Sequence, residues 1–361
     1  MKTLLKPNVY WLFAFIPVTI ILEGGHASAP LIFFSAALSI IPIARLIGDS
    51  TEQLATYTGD AVGGLLNATF GNLPELIIVV IALKAGLHQM VLGSLAGAIL
   101  ANLLMAMGVS FLVGGSKFHN QDYNSTSIRV YSSMMMIAVI SLAIPSGFHI
   151  LTADKVPLEN ENLLNILVAV VLLVGYVLYL FFMIKTHPDF FRSEGEGGHG
   201  DEHEKRWSVT RALITLLVAS VMAAFMSEML VGAAEETGKV LGMSSGFIGV
   251  IFLAIIGGAA ESISAVAMAA KNKMDLSIGI ALGSSIQIAL FIAPLVVILS
   301  IFVGPEQLNL TFPRPMIVAL FLAVILAAMV AGDGRSNWYK GVQLIIIYVI
   351  MGMMLYFIPS V

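Results

Sequence analysis

Two glutamates lie inside long apolar stretches, each within a short glycine-containing segment similar to the other. The first segment is Asn67-Ala68-Thr69-Phe70-Gly71-Asn72-Leu73-Pro74-Glu75-Leu76-Ile77-Ile78. The second is Ile255-Ile256-Gly257-Gly258-Ala259-Ala260-Glu261-Ser262-Ile263. An ionisable group at membrane depth costs roughly 2.5–3.5 kcal/mol on insertion scales, so it rarely persists without a task. Two of them, one per half of the chain, point to a cation pathway. The supporting donors are hard oxygens: the amides of Asn72, Asn102 and Gln287, the hydroxyls of Thr69, Ser284 and Ser285, and backbone carbonyls. Oxygen-rich sites without sulfur or histidine suit Ca2+ and related hard cations rather than zinc or copper. Two carboxylates also match a divalent charge. Once the metal leaves, desolvation and mutual repulsion oppose keeping both carboxylates ionised. Protons then compete with metal for the same oxygens, as a coupled pair. That competition is the physical core of antiport.

The elements that must hold these groups are helices with weak points. On a continuous helix Asn67, Gly71 and Glu75 share one face. Pro74 removes a backbone donor and clashes with the preceding turn, which predicts a kink or unwound turn near residues 70–73. Carbonyls freed there can serve as ligands, as in the broken helices of transporters. Gly257-Gly258 supplies the same weakness in the second segment, and small residues let two helices approach closely enough to juxtapose the acids.

Composition sets the surroundings. With 58% apolar residues, 11% charged residues and a mean hydropathy of +0.94, the chain departs far from soluble domains, which are about 25% charged. Apolar runs recur at 9–22, 30–47, 62–85, 90–114, 128–148, 162–184, 208–232, 245–270, 277–302, 315–331 and 341–358. Most reach the length a helix needs to cross a hydrocarbon core about 30 Å thick. The expected class is an all-α polytopic membrane protein with about eleven transmembrane helices. If the N-terminus is cytoplasmic, 14 of the 18 Lys and Arg residues fall on the cytoplasmic side and only Lys84, Lys155, Lys239 and Arg314 on the other. That asymmetry fits the positive-inside rule, and one miscounted span would scramble it. The absence of cysteine excludes disulfides, thiolate metal sites and thiol catalysis.

The chain divides at one long hydrophilic connection. The expected organisation is an N-terminal helix and loop over 1–29, a five-helix repeat over 30–184, an acidic cytoplasmic linker over 185–207 and a second five-helix repeat over 208–361. Gly71-x-x-x-Glu75 matches Gly257-x-x-x-Glu261. Gly97-Ala98-Ile99-Leu100-Ala101-Asn102 resembles Gly283-Ser284-Ser285-Ile286-Gln287, and Thr51-Glu52 resembles Ser227-Glu228. Five is odd, so the second repeat enters the membrane from the opposite side. This is the inverted design of many secondary transporters, whose site lies near the midplane between the repeats. Glu52 and Glu228, near opposite ends of their helices, are candidate gates, weighed against solvated end-of-helix charges.

Gly63-Gly64-Leu65-Leu66-Asn67-Ala68-Thr69-Phe70-Gly71-Asn72-x-x-Glu75-Leu76-Ile77 with Ala82-Leu83-Lys84 resembles the first repeat of the calcium/proton exchanger family. The second repeat is similar to Phe247-Ile248-Gly249 through Gly257-x-Ala259-Ala260-Glu261, followed by Lys273-Met274-Asp275-Leu276 and Gly283-Ser284-Ser285-Ile286-Gln287-Ile288-Ala289-Leu290-Phe291. The resemblance covers spans two to eleven. It implies exchange of Ca2+ for H+ with Glu75 and Glu261 as shared cation and proton carriers. The backbone near 71–72 and 257–258, with Asn72, Asn102 and Gln287, would support them. It also implies an acidic regulatory segment near 189–204. Two departures stand out. Gly258 replaces the Asn that the family usually carries there, and Leu73-Pro74 is similar to the Pro-Glu of sodium/calcium exchangers.

Sodium/calcium exchange is therefore the alternative reading, although no Asp accompanies either intramembrane Glu. A cation channel is a weaker rival, since channels usually assemble rings about an axis. An intramembrane aspartyl protease needs two Asp within spans, and no P-loop pattern appears, so no enzyme is expected. The expected partners are Ca2+ as substrate, H+ and the lipid bilayer, without nucleic acid or a resident cofactor; homo-oligomerisation is left open. The short N-terminus favours a prokaryotic plasma membrane.

Overall fold

Runs of Leu, Ile, Val and Ala this long satisfy their backbone polar groups internally only as helices when water is excluded. The computed structural model describes residues 8–152, 156–187 and 207–358 and is built almost wholly of helices. In chain order these are α1 (Phe15–Gly24, preceded by the tight turns Val9–Ala14), α2 (Ala29–Phe70), α3 (Leu73–Lys84), α4 (His88–Phe118), α5 (Ser125–Thr152) and α6 (Leu158–Thr186). After the linker come α7 (Val209–Leu241), α8 (Ser245–Gly257), α9 (Ala259–Ala269), α10 (Met274–Val303), α11 (Arg314–Ala331) and α12 (Trp338–Tyr356). Among the described residues eight helices are long and apolar enough to cross a bilayer, and α8 with α9 forms a further crossing bent by 57°. The eleven expected spans are consistent with this once Val9–Gly24 and α3 are included. The acidic segment 189–204 and the side chain of Asn67 lie outside the described residues.

One boundary differs from expectation. The polar stretch between 47 and 62 separates two expected spans, yet one helical element, α2, runs from Ala29 to Phe70. The helix is not straight. A Cβ added to Gly63 would lie 2.7 Å from the carbonyl oxygen of Ala55 and 3.3 Å from its Cα. Residues eight apart on a straight helix stand about 12 Å from each other. The element is therefore sharply bent between these two residues. Low hydropathy marks where a segment leaves the hydrocarbon, but it does not dictate that the helix ends there.

Packing separates two bodies. In one, α2 and α7 bury Phe33, Ile40, Ile43, Ile47, Ala219 and Leu230 against each other and against the near faces of α3 and α8. In the other, α4, α5, α6, α10, α11 and α12 share a continuous apolar cluster around Leu100, Leu104, Phe111 and Val297. Within it α4 is central, with 78% of its apolar window buried against 28% for the lipid-facing α6. Small residues make the close crossings, as is usual where lipid provides no hydrophobic drive between helices. Gly93 and Gly97 of α4 meet the backbone of α8 at Gly246 and Val250, and Gly108 meets Gly341 of α12. At one end a two-residue ladder joins the α4–α5 and α11–α12 loops, pairing Gln121 with Ser336 and Asp122 with Arg335.

Candidate functional site

Both expected helix breaks occur, and each glutamate follows its break by one turn. Gly71 and Asn72 separate α2 from α3, whose first turn holds Pro74 and Glu75. Proline is tolerated there because its missing N–H would have no intrahelical partner. Gly258 separates α8 from α9, whose first turn holds Glu261. Each carboxylate thus sits at the positive end of a half-helix, which favours negative charge. The two breaks cross. Glu75 lies against the second motif: a Cβ on Gly257 would fall 2.8 Å from Glu75 Cγ, and one on Gly258 would fall 3.7 Å from Glu75 Oε1. Glu261 shares a cleft lining with Gly71 and Asn72 of the first motif.

Their surroundings differ. Glu75 is 4% exposed, and among the described residues neither of its carboxylate oxygens has a hydrogen-bond partner. Glu261 lines a cleft of about 290 Å³ with Asn72, Ser284, Gln287, Asn124 and Asp275. Its Oε2 is likewise unpartnered among the described residues. Buried polar atoms are normally satisfied, so orphaned carboxylate oxygens at the meeting point of two helix breaks require an explanation.

The supporting amides form a chain between the halves. Asn72 donates to Gln287 Oε1 and accepts from the Ser284 hydroxyl at 2.9 Å. Asn102 donates to the same hydroxyl at 3.2 Å. Two widened π-helical segments flank these groups, Ala101–Ala106 holding Asn102 and Ile288–Ile292 following Gln287. Such segments are frequent at functional sites. Among the described residues no three His, Cys, Asp or Glu gather around one point. A divalent ion would therefore be held by the two carboxylates with neutral oxygens.

Several expected site residues lie elsewhere. Ser285 is buried but donates to Ala281 O of its own helix, about 100° around the helix from Ser284. Thr69 is half-buried on the last turn of α2 and is not among the described cleft-lining residues. Glu52 is exposed on α2. Glu228 is exposed on α7, 3.9 Å from Lys84 of α3. Neither gate candidate lines the cleft.

Arg45 enters the sequence reading only as a topological charge, yet it reaches the helix of Glu261. Its Nε pairs with Asp49 at 2.8 Å and its guanidinium donates to Ser264 Oγ at 2.6 Å, one turn beyond Glu261. The Tyr10 hydroxyl donates to the other oxygen of Asp49. The available sequence signal is the i,i+4 spacing of Arg45 and Asp49 at the end of an expected span. Arg45→Gln is expected to lower stability by roughly 1–2 kcal/mol, between the costs of exposed and buried pairs. Thermal unfolding of the detergent-solubilised protein measures it. Asp49→Asn should cost much less in that background than alone.

Residues 28–185 and 211–357 match the family described as sodium/calcium exchanger protein. The chain belongs to that family. Within the sodium/calcium exchanger family it is 40% identical over 339 residues to the Ca(2+)/H(+) antiporter ChaA of Bacillus subtilis, covering 93% of this chain and 95% of that protein. It is 39% identical to the Ca(2+)/H(+) antiporter of Aphanothece halophytica, covering 98% and 97% of the two chains. The solved structure of native YfkE superposes with a TM-score of 0.84 at 37% identity, covering 97% of this chain and all of that one. This is a polytopic helical membrane protein of an exchanger family.

Proposed function

We propose that the protein is a secondary active transporter exchanging Ca2+ for H+ by alternating access, with Glu75 and Glu261 as the shared cation and proton carriers. The observation that carries this reading is the crossing of two broken helices. It brings together two carboxylates, one sealed from solvent and one facing a cleft, with orphaned oxygens on both. A divalent cation or protons can satisfy those oxygens in turn. Relatives at 39–40% identity bear the name Ca(2+)/H(+) antiporter, which supports the same ion pair. Residues 30–184 and 208–361 act as the two inverted repeats. The distribution of Lys and Arg supports a cytoplasmic N-terminus. On that orientation the cleft opens to the cytoplasm past Asn124 and Asp275, giving the ion a path to Glu261. Asn72, Asn102, Ser284 and Gln287 hold the breaks in register and offer oxygens to the ion.

Everted vesicles carrying the purified protein provide the test. An acid interior imposed on them is expected to drive Ca2+ uptake that collapses when the proton gradient is dissipated, with or without sodium. Uptake that follows a sodium gradient and ignores the proton gradient would overturn the reading.

A further inference from the structure

The two break motifs correspond position by position, Gly71-Asn72-x-x-Glu75 to Gly257-Gly258-x-x-Glu261, except that Asn72 faces Gly258 across the repeat. The backbone does not demand this glycine. Gly258 has φ −79° and ψ 13°, close to the −92° and 22° of Asn72, and both conformations are open to any residue. Its function must therefore lie in the missing side chain.

The surroundings of that position are oxygens. A Cβ on Gly258 would stand 3.3 Å from Ala254 O, 3.7 Å from Glu75 Oε1 and 3.8 Å from Asn102 Oδ1. Ala254 O already accepts from Gly258 N. Asn102 is 2% exposed and spends its amide on Ser284, while Glu75 has no partner among the described residues. The three atoms nearest to that position are thus all acceptors, a disposition that favours a cation. At the matching place in the first motif, the Asn72 amide spans to α10, donating to Gln287 and accepting from Ser284.

We infer that Gly258 determines ion selectivity. Without an amide at this position, one coordination place on the Glu75-bound cation falls to water rather than to a protein oxygen, and the site stays roomy. Selectivity among hard divalent cations depends on cavity size, ligand number and rigidity. The wild-type site therefore discriminates weakly between Ca2+ and the larger Sr2+. This inference rests on the proposed exchange at Glu75, and its test reads binding rather than transport.

Calorimetric titration of the purified protein with Ca2+ and with Sr2+ provides the measurement, on wild type, Gly258→Asn, Gly258→Ala and Glu75→Gln. Wild-type affinities for the two ions are expected within about threefold of each other, and Gly258→Asn should tighten Ca2+ about tenfold and widen the ratio similarly. Gly258→Ala adds bulk without a ligand and should move both affinities together. A wild-type preference for Ca2+ above about 30-fold overturns the inference even if no variant folds, as does an unchanged ratio in a folded Gly258→Asn protein. Ca2+ binding retained by Glu75→Gln would instead refute the site assignment itself.

Discussion

Glu75→Gln and Glu261→Gln are each expected to abolish Ca2+ uptake driven by a proton gradient, while the exposed Glu159→Gln on the first turn of α6 leaves it intact. Glutamine keeps the size and one oxygen but removes the charge and the titratable proton. Removing one partner of a buried charge arrangement costs about 3–5 kcal/mol. At about 1.4 kcal/mol per tenfold, that is roughly two to three and a half orders of magnitude in ion affinity. The two substitutions should differ in a second respect. Glu75 is sealed with both oxygens unpartnered among the described residues, whereas Glu261 reaches the cleft. In Glu75→Gln the new amide would bring donors toward Asn102 Oδ1 and remove an uncompensated charge. In metal-free protein at mildly alkaline pH, Glu75→Gln should therefore be more thermostable than wild type by roughly 1–3 kcal/mol. Glu261→Gln should gain less. Exchange surviving either substitution, in vesicles containing equal amounts of protein, would refute the pair as carriers.

The class of the protein and its two central acids can be read from the sequence because both depend on local quantities. A charge inside an apolar run and a proline or glycine pair inside a helix are visible within a dozen residues, and Glu75, Glu261 and both breaks follow from them. The partners of those groups are less accessible. Asn72 and Gln287 are 215 residues apart, and Asn102 and Ser284 are 182 apart. No periodicity records such pairings, so residue type alone nominates Ser284 and Ser285 equally. The helix turns one toward the site and the other onto its own backbone. Arg45 escapes for a related reason: its charge balances a topology count, and its reach to Ser264 depends on how α2 packs on α9. The bend of α2 between Ala55 and Gly63 reads as a loop in the sequence because hydropathy reports solvent, not backbone hydrogen bonding. The matching Asn72 and Gly258 can be aligned from sequence, yet only the three oxygens around Gly258 give that difference a chemical meaning.

Gly97→Val is expected to disrupt the fold around the site more than any change to a lining residue. A Cβ at Gly97 would fall 2.1 Å from Val250 O and 2.5 Å from Val250 Cα. These are backbone atoms, so no rotamer change relieves the overlap, and α4 and α8 must move apart. Neighbouring contacts resist that movement: Gly93 meets Gly246 O at 2.4 Å and Gly249 meets Met90 O at 2.3 Å, measured from the corresponding added Cβ positions. Overpacking of a core usually costs about 1–3 kcal/mol. With backbone on the far side, and two methyl groups to place beyond the Cβ, the cost here should reach or exceed the upper end of that range. Separation of α4 from α8 would also draw Gly257 off Glu75, so any protein that does fold should bind Ca2+ weakly. Gly175 and Gly232 provide the contrast, since an added Cβ meets nothing within 4 Å at either. Alanine there should be neutral or stabilising by up to about 1 kcal/mol through helix propensity. Thermal unfolding of the three variants in one detergent compares them directly. A Gly97→Val protein melting at the wild-type temperature would mean that α4 and α8 do not make the close crossing on which the position of Glu75 depends.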